Sequence, residues 1–251
     1  MNMRQVTIGA LVAAGVLLGL VPGPQAQAQA PAPETGGQVG AFVLLGADQN
    51  VGVQAGATSS DIPNFTLGAR GAQAADDIVI TTAATNVYWW IQQITVSGGV
   101  SGGPTVTSLN LNIYNDSAGL PGSLYTAQTV TSFSNAPNYV ISTSLFLPGS
   151  PSGRKYWLSI QANVSSTDGS AWSWQSSSSG ALGSSESAWR ETVGTSLNFG
   201  TCALATGIPT ASGWGARRTQ CGIGLQDNLA FRLDGQILTL SNAIYLPIVQ
   251  R

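Results

Sequence analysis

The sequence predicts an all-β fold, an antiparallel jelly-roll-like β-sandwich, and three observations carry that prediction. Apolar residues alternate with polar ones in one short run after another. Clusters of glycine and proline interrupt those runs at short intervals. No segment sustains a 3.6-residue period. A period of two puts alternate side chains on opposite faces of a strand, and many short strands with Gly/Pro turns point to a sandwich. The clearest run is SLNLNIY at 108–114, where Leu109, Leu111 and Ile113 share one face and Asn110, Asn112 and Tyr114 the other. Leu120-Pro121-Gly122 then reads as a type II turn, since proline presets φ and glycine accepts a positive one.

Four regions divide the 251 residues. Residues 1–30 read as a secretory signal peptide. Arg4 precedes an apolar run at 8–21, and a small-x-small pattern fits cleavage after Ala28 or after Ala30. The competing reading, a membrane anchor, needs ~20 apolar residues. Residues 31–73 read as an N-terminal linker with short strands, 74–240 as the sandwich, and 241–251 as a C-terminal tail. No later stretch is long and apolar enough to span a membrane as a helix.

Without Arg4, eight basic residues face eleven acidic ones. No basic stripe is available to neutralise phosphates, which argues against nucleic acid as a partner. Only 8% of residues are charged, so hydroxyls and amides must supply the polar surface. Histidine is absent. That removes Ser-His-Asp and Cys-His catalysis, imidazole bases and His-based zinc sites. Cys202 and Cys221 are the only cysteines. In an exported chain a close pair most simply forms one disulfide, worth about 3 kcal/mol in the chain-entropy model. The alternative is a reactive or metal-binding pair.

Taken in order, residues 41–45 form a short apolar run, and 48–71 read as loop with one or two short strands. The regular part opens at 74–80 (AADDIVI). Residues 86–97 (NVYWWIQQITVS) alternate but slip near Gln92-Gln93, which a β-bulge would explain. A glycine loop at 98–104 leads to strands at 105–115 and 123–131. Residues 138–147 alternate well, and Pro148 opens a turn. The strongest strand is 155–164, with Tyr156, Leu158, Ile160 and Ala162 on one face. Residues 171–175 read as a strand followed by a long exposed loop. The strand at 228–233 continues through 236–240.

Several constellations are candidates for function. Asp76 and Asp77 open one strand and Asp227 precedes the last one, so three carboxylates could meet in one sheet and hold a structural calcium ion. Against this stands ordinary strand-end chemistry, with Asp bonding nearby backbone. Trp172 and Trp174 share a strand face and, with Trp189 and Trp214, could form an aromatic platform for a sugar ring; as core fillers they would bury large area instead. Glu186 and Glu191 flank Trp189, a pairing seen in glycoside hydrolysis, but no recognisable strand anchors either one. The tail at 244–249 is apolar and β-prone, suited to pairing with another copy or packing on its own sandwich.

Several segments together resemble a class of bacterial secreted β-sandwich modules, similar in architecture to carbohydrate-binding domains and mostly of unassigned function. The segments are Ala74-Ala75-Asp76-Asp77, Ile94-Thr95-Val96, Ile113-Tyr114-Asn115-Asp116 with Gly119-Leu120-Pro121-Gly122, 156–161 and 228–233. Ile78 departs from that pattern, standing where an aromatic is more usual. Ile244-Tyr245-Leu246-Pro247 is similar to a tail on exported proteins of Chloroflexota-like bacteria, which implies envelope sorting or surface retention. The expectation is therefore a secreted, non-enzymatic structural or adhesive protein of the cell envelope or extracellular matrix. The alternative is a lectin-like module binding polysaccharide through its tryptophans. No cofactor is expected apart from the calcium ion considered above.

Overall fold

A computed structural model describes residues 43–45, 57–62, 70–100, 104–134, 136–167, 170–177, 183, 185–193, 213–222 and 228–240. The expected signal peptide at 1–30 and the tail at 241–251 lie outside them. Among the described residues there is no helix, and the strands form two sheets packed against each other as an all-β sandwich.

Thirteen strands are described: β1 (Val43–Leu44), β2 (Ala57–Thr58), β3 (Ser60–Ile62), β4 (Arg70–Ile80), β5 (Val87–Val100), β6 (Thr105–Ser117), β7 (Leu120–Val130), β8 (Asn138–Pro148), β9 (Arg154–Ser165), β10 (Trp172–Trp174), β11 (Ala188–Val193), β12 (Gly215–Ala216) and β13 (Phe231–Thr239). A six-stranded sheet runs β1-β13-β5-β10-β2, with β8 also paired to β5. A seven-stranded sheet runs β12-β11-β4-β3-β9-β6-β7, with β4 also paired to β9. Every pairing among these thirteen strands is antiparallel except a short parallel contact of β3 with β9. The chain changes sheet at most connections, as a jelly roll does.

Alternation decides which residues enter the space between the sheets. Tyr156, Leu158, Ile160 and Ala162 of β9 are buried there, as the pattern requires. Leu109, Leu111 and Ile113 of β6 stand beside them in the same sheet, and Ile91, Ile94 and Val96 of β5 come from the opposite sheet. Each such aliphatic side chain contributes roughly 1.5–3 kcal/mol by leaving water.

The slip near Gln92 is real: β5 shifts register against both neighbours between Ile91 and Gln93. Gly235 stands at that point on β13, and a Cβ there would lie 2.0 Å from the Trp90 carbonyl oxygen. Two elements differ from expectation. The β6–β7 hairpin turns at Ala118 and Gly119, both at positive φ, so Leu120-Pro121-Gly122 starts β7 instead of forming the turn. Two positive-φ residues suit the right-handed twist of a tight hairpin better than a type II turn. Residues 188–193, expected as exposed loop, form β11 against β4.

The short strands upstream of residue 74 belong to the sheets. β3 wedges into the fork where β4 and β9 part beyond Ala75 and Ser159. The fork would leave ladder carbonyls without donors. Gln161 Nε2 fills it, donating to the Ala72 carbonyl at 3.0 Å and the Ser60 carbonyl at 3.5 Å.

Candidate functional site

The expected tryptophan platform does not form. Trp172, Trp174 and Trp189 are fully buried and Trp214 is 1% exposed. Trp172 and Trp174 do share a face, but it is the inner one. Their rings lie 6.5 Å apart in a run that continues through Tyr139 on one side and Phe231 on the other. Two of the indole N–H groups are satisfied inside: Trp174 Nε1 donates to the Ala230 carbonyl at 2.8 Å and Trp189 Nε1 to the Thr58 carbonyl at 2.9 Å. Gly98 makes room for this packing, since a Cβ there would lie 2.2 Å from the Trp172 ring. An indole buries more area than any other side chain, so the interior outcompetes the surface for it.

Asp76 and Asp77 are adjacent on β4 and therefore face opposite ways. Asp76 points between the sheets. It accepts from the Leu229 N–H at 2.6 Å and the Asp77 N–H at 2.9 Å, which ties the seven-stranded sheet to the run entering β13. Burial pushes its carboxyl well above the usual range, against the lowering effect of the Leu229 N–H and of the Arg217 charge. Asp77 faces outward, meeting Lys155 Nζ at 3.2 Å and the Ser185 N–H at 2.9 Å. Two carboxylates on opposite sheet faces cannot ligate one calcium ion together. Asp227 lies outside the described residues, and among the described ones no three acidic or cysteine side chains cluster.

Glu186 is committed to backbone. Its carboxylate accepts from the Arg218 and Thr219 N–H groups and from Thr219 Oγ1, closing the turn after β12. Glu191 lies five residues on, roughly 16 Å along extended chain, and an odd separation turns it to the other face. Cys221 is buried in the core; Cys202 lies outside the described residues.

Part of the outer face of the seven-stranded sheet is covered. Ala75, Tyr114, Trp157, Ala188 and Trp214 form a second apolar cluster there. Arg190 lies across it, its guanidinium 4.5 Å from the Trp214 ring centre and 5.7 Å from that of Tyr114. It donates to Gln73 Oε1 and to the Tyr114 hydroxyl. Trp157 Nε1 donates to Asp116 Oδ1 at 2.9 Å.

The outer face of the six-stranded sheet presents side chains to solvent, and they escaped the sequence reading. Gln93 and Thr95 of β5 with Arg232 and Asp234 of β13 line a cavity of about 430 Å³ open to solvent. They are cross-strand pairs: Thr95 stands opposite Arg232, and Gln93 opposite Asp234. Arg232 Nε and Nη2 grip the Asp234 carboxylate at 2.7–3.0 Å. Further along the same face Trp90 stands opposite Phe146 of β8, and the two rings stack with centres 5.4 Å apart and planes 8° from parallel. Trp90 Nε1 donates to Ser144 Oγ, and Phe146 remains 41% exposed. The signal for both was present: Trp89 inside puts Trp90 outside, and Leu145 and Leu147 inside put Phe146 outside.

Comparison with protein-family models, with curated proteins and with solved structures gives no match. What stands of the expected resemblance is the two-sheet sandwich architecture. Among the described residues no helix is long and apolar enough to cross a membrane.

Proposed function

We propose that this chain is an exported, non-enzymatic β-sandwich that serves as a structural or adhesive component of the cell envelope or extracellular matrix. The observation that supports it best is a strip of exposed apolar side chains along the edge made by the neighbouring strands β1 and β13, on both faces of the sheet. Val43, Leu44 and Ile237, with Leu240 just beyond β13, are 41–59% exposed. Apolar side chains exposed along a sheet edge suit pairing with another chain. The apolar tail at 243–251 follows almost directly in sequence. A second copy or an envelope partner would cover the strip, and the tail would pair there as an added strand. The absence of histidine and the commitment of Glu186 to backbone support a role without catalysis. The cleavable leader at 1–30 and a Cys202–Cys221 disulfide belong to the same reading.

Sedimentation of the mature chain and surface retention of the full-length protein test it. Ile237→Lys is expected to shift associated protein to monomer, and deletion of residues 243–251 to release protein from the cell surface. A wild type that is monomeric at tens of micromolar, with retention unchanged by the deletion, would overturn the reading. Intact mass under non-reducing conditions, with and without thiol alkylation, tests the disulfide.

A further inference from the structure

We propose that the outer face of the six-stranded sheet is a binding site for a neutral polysaccharide. The free face of the stacked Trp90–Phe146 pair packs against a pyranose ring, and Gln93, Thr95, Arg232 and Asp234 bond the sugar hydroxyls. The inference supplies a ligand for the adhesive role and rests on that reading only for bringing the protein to polysaccharide.

Three features of the face favour this chemistry. The first is the aromatic pair. The two rings are held parallel by their cross-strand placement, and the Trp90–Ser144 hydrogen bond fixes the indole. A large aromatic surface standing in solvent on a sheet face offers an apolar partner to the C–H side of a sugar.

The second is the polar set beside it. The amide of Gln93, the hydroxyl of Thr95, the guanidinium of Arg232 and the carboxylate of Asp234 present donors and acceptors in one open cavity of about 430 Å³. A hydroxyl both donates and accepts, so a polyol can use all four groups. That volume lies within the range of small-ligand sites. The distance along β5 from Thr95 to Trp90 is five residues, roughly 16 Å, which lets one chain reach both the cavity and the rings.

The third is charge. The bidentate pairing of Arg232 with Asp234 cancels both charges locally and fixes both side chains in place. An anionic polymer would have to compete with Asp234 for Arg232, and a cationic one with Arg232 for Asp234. A neutral ligand breaks neither contact.

Native gel electrophoresis of the mature chain, with one polysaccharide cast in each gel, tests the proposal. The probes are hydroxyethyl cellulose, xylan, galactomannan, mixed-linkage β-glucan and starch, with alginate and dextran sulfate as charged comparisons. Retardation by at least one neutral polymer is expected. Phe146→Ala and Arg232→Ala should each weaken it about ten-fold or more, and Phe146→Tyr should retain it. Phe146 is exposed, so its replacement leaves the interior intact, which circular dichroism would verify. Ile237→Lys should be retarded as the wild type is, so failure of the apolar strip and failure of this site are separable. Three results would overturn the proposal: no retardation by any neutral polymer, retardation equal in Phe146→Ala, or retardation by the charged polymers alone.

Discussion

The two outer faces of this sandwich carry similar residue types and treat them differently. On the seven-stranded sheet, Trp157, Tyr114 and Trp214 are covered, with Arg190 laid across them and hydrogen-bonded to Gln73. On the six-stranded sheet, Trp90, Phe146 and Arg232 stand where solvent reaches them. On the first face Trp214 packs edge-on against Tyr114 and Arg190 lies over both rings, with Asp77 and Glu186 tying the neighbouring chain down through backbone N–H groups. Aromatic residues on a sheet face therefore do not define a binding surface until the covering segment is known. The contrast can be broken or sharpened by substitution.

The largest expected effect lies inside. Trp174→Ala should cost about 3–5 kcal/mol in urea unfolding, because it removes a buried indole and leaves a cavity. Loss well under that range would mean that the aromatic run at this end of the core is loose. Gly98→Ala should cost about 1–3 kcal/mol, since the new methyl overlaps the Trp172 ring; a neutral outcome would contradict the placement of Trp172.

Asp76 provides a pH test. Its folded pKa is raised above the ordinary 3.8 by burial. The folded chain then holds that proton more tightly than the unfolded one, so its stabilising effect is complete at low pH. The effect is lost as pH rises from about 4 through the folded pKa, at up to about 1.4 kcal/mol per pH unit. The stability difference between wild type and Asp76→Asn should therefore fall with rising pH across that window. A difference that rises with pH would mean that the carboxylate is held ionised.

On the covered outer face, Arg190→Met should cost about 1–2 kcal/mol through lost cation–π contact and hydrogen bonds. On the open face, Phe146→Ala should change stability by no more than about 0.5 kcal/mol. Equal costs at the two positions would erase the distinction between the faces.

How much of this was legible in the sequence depends on how each strand is buried. β6 and β9 were readable because their outward positions are mostly polar, Asn110 and Asn112 on one and Ser159, Gln161 and Asn163 on the other, so the period of two stays clean even where β9 is buried on both sides. β11 was not: it is six residues long, lies among serines, and is sandwiched between the core and the covering cluster, so Ala188 and Trp189 are both buried and the alternation disappears. The hairpin turn was misplaced because Leu-Pro-Gly is a stronger local signal than Ala-Gly, yet strand twist selects the latter. The four tryptophans do not form one group: Trp172, Trp174 and Trp189 join the core, and Trp214 joins the cluster on the outer face of the seven-stranded sheet. Nothing local distinguishes an inward strand face from an outward one when both are aromatic. The open site was half legible. Arg232 and Asp234 are two apart on one strand and so share a face. Their meeting with Gln93, and that of Trp90 with Phe146, depends on registers displaced by the bulge at Gln92, which no pattern in one strand reveals.

Tryptophan-selective oxidation followed by peptide mass spectrometry tests the contrast between the faces most directly. Trp90 should be the first of the seven indoles modified, with Trp157, Trp172, Trp174, Trp189 and Trp214 protected until the chain unfolds. A neutral polysaccharide that retards the protein should then shield Trp90. Early modification of Trp214 or Trp172, or a Trp90 that reacts equally fast with the polysaccharide bound, would contradict the account.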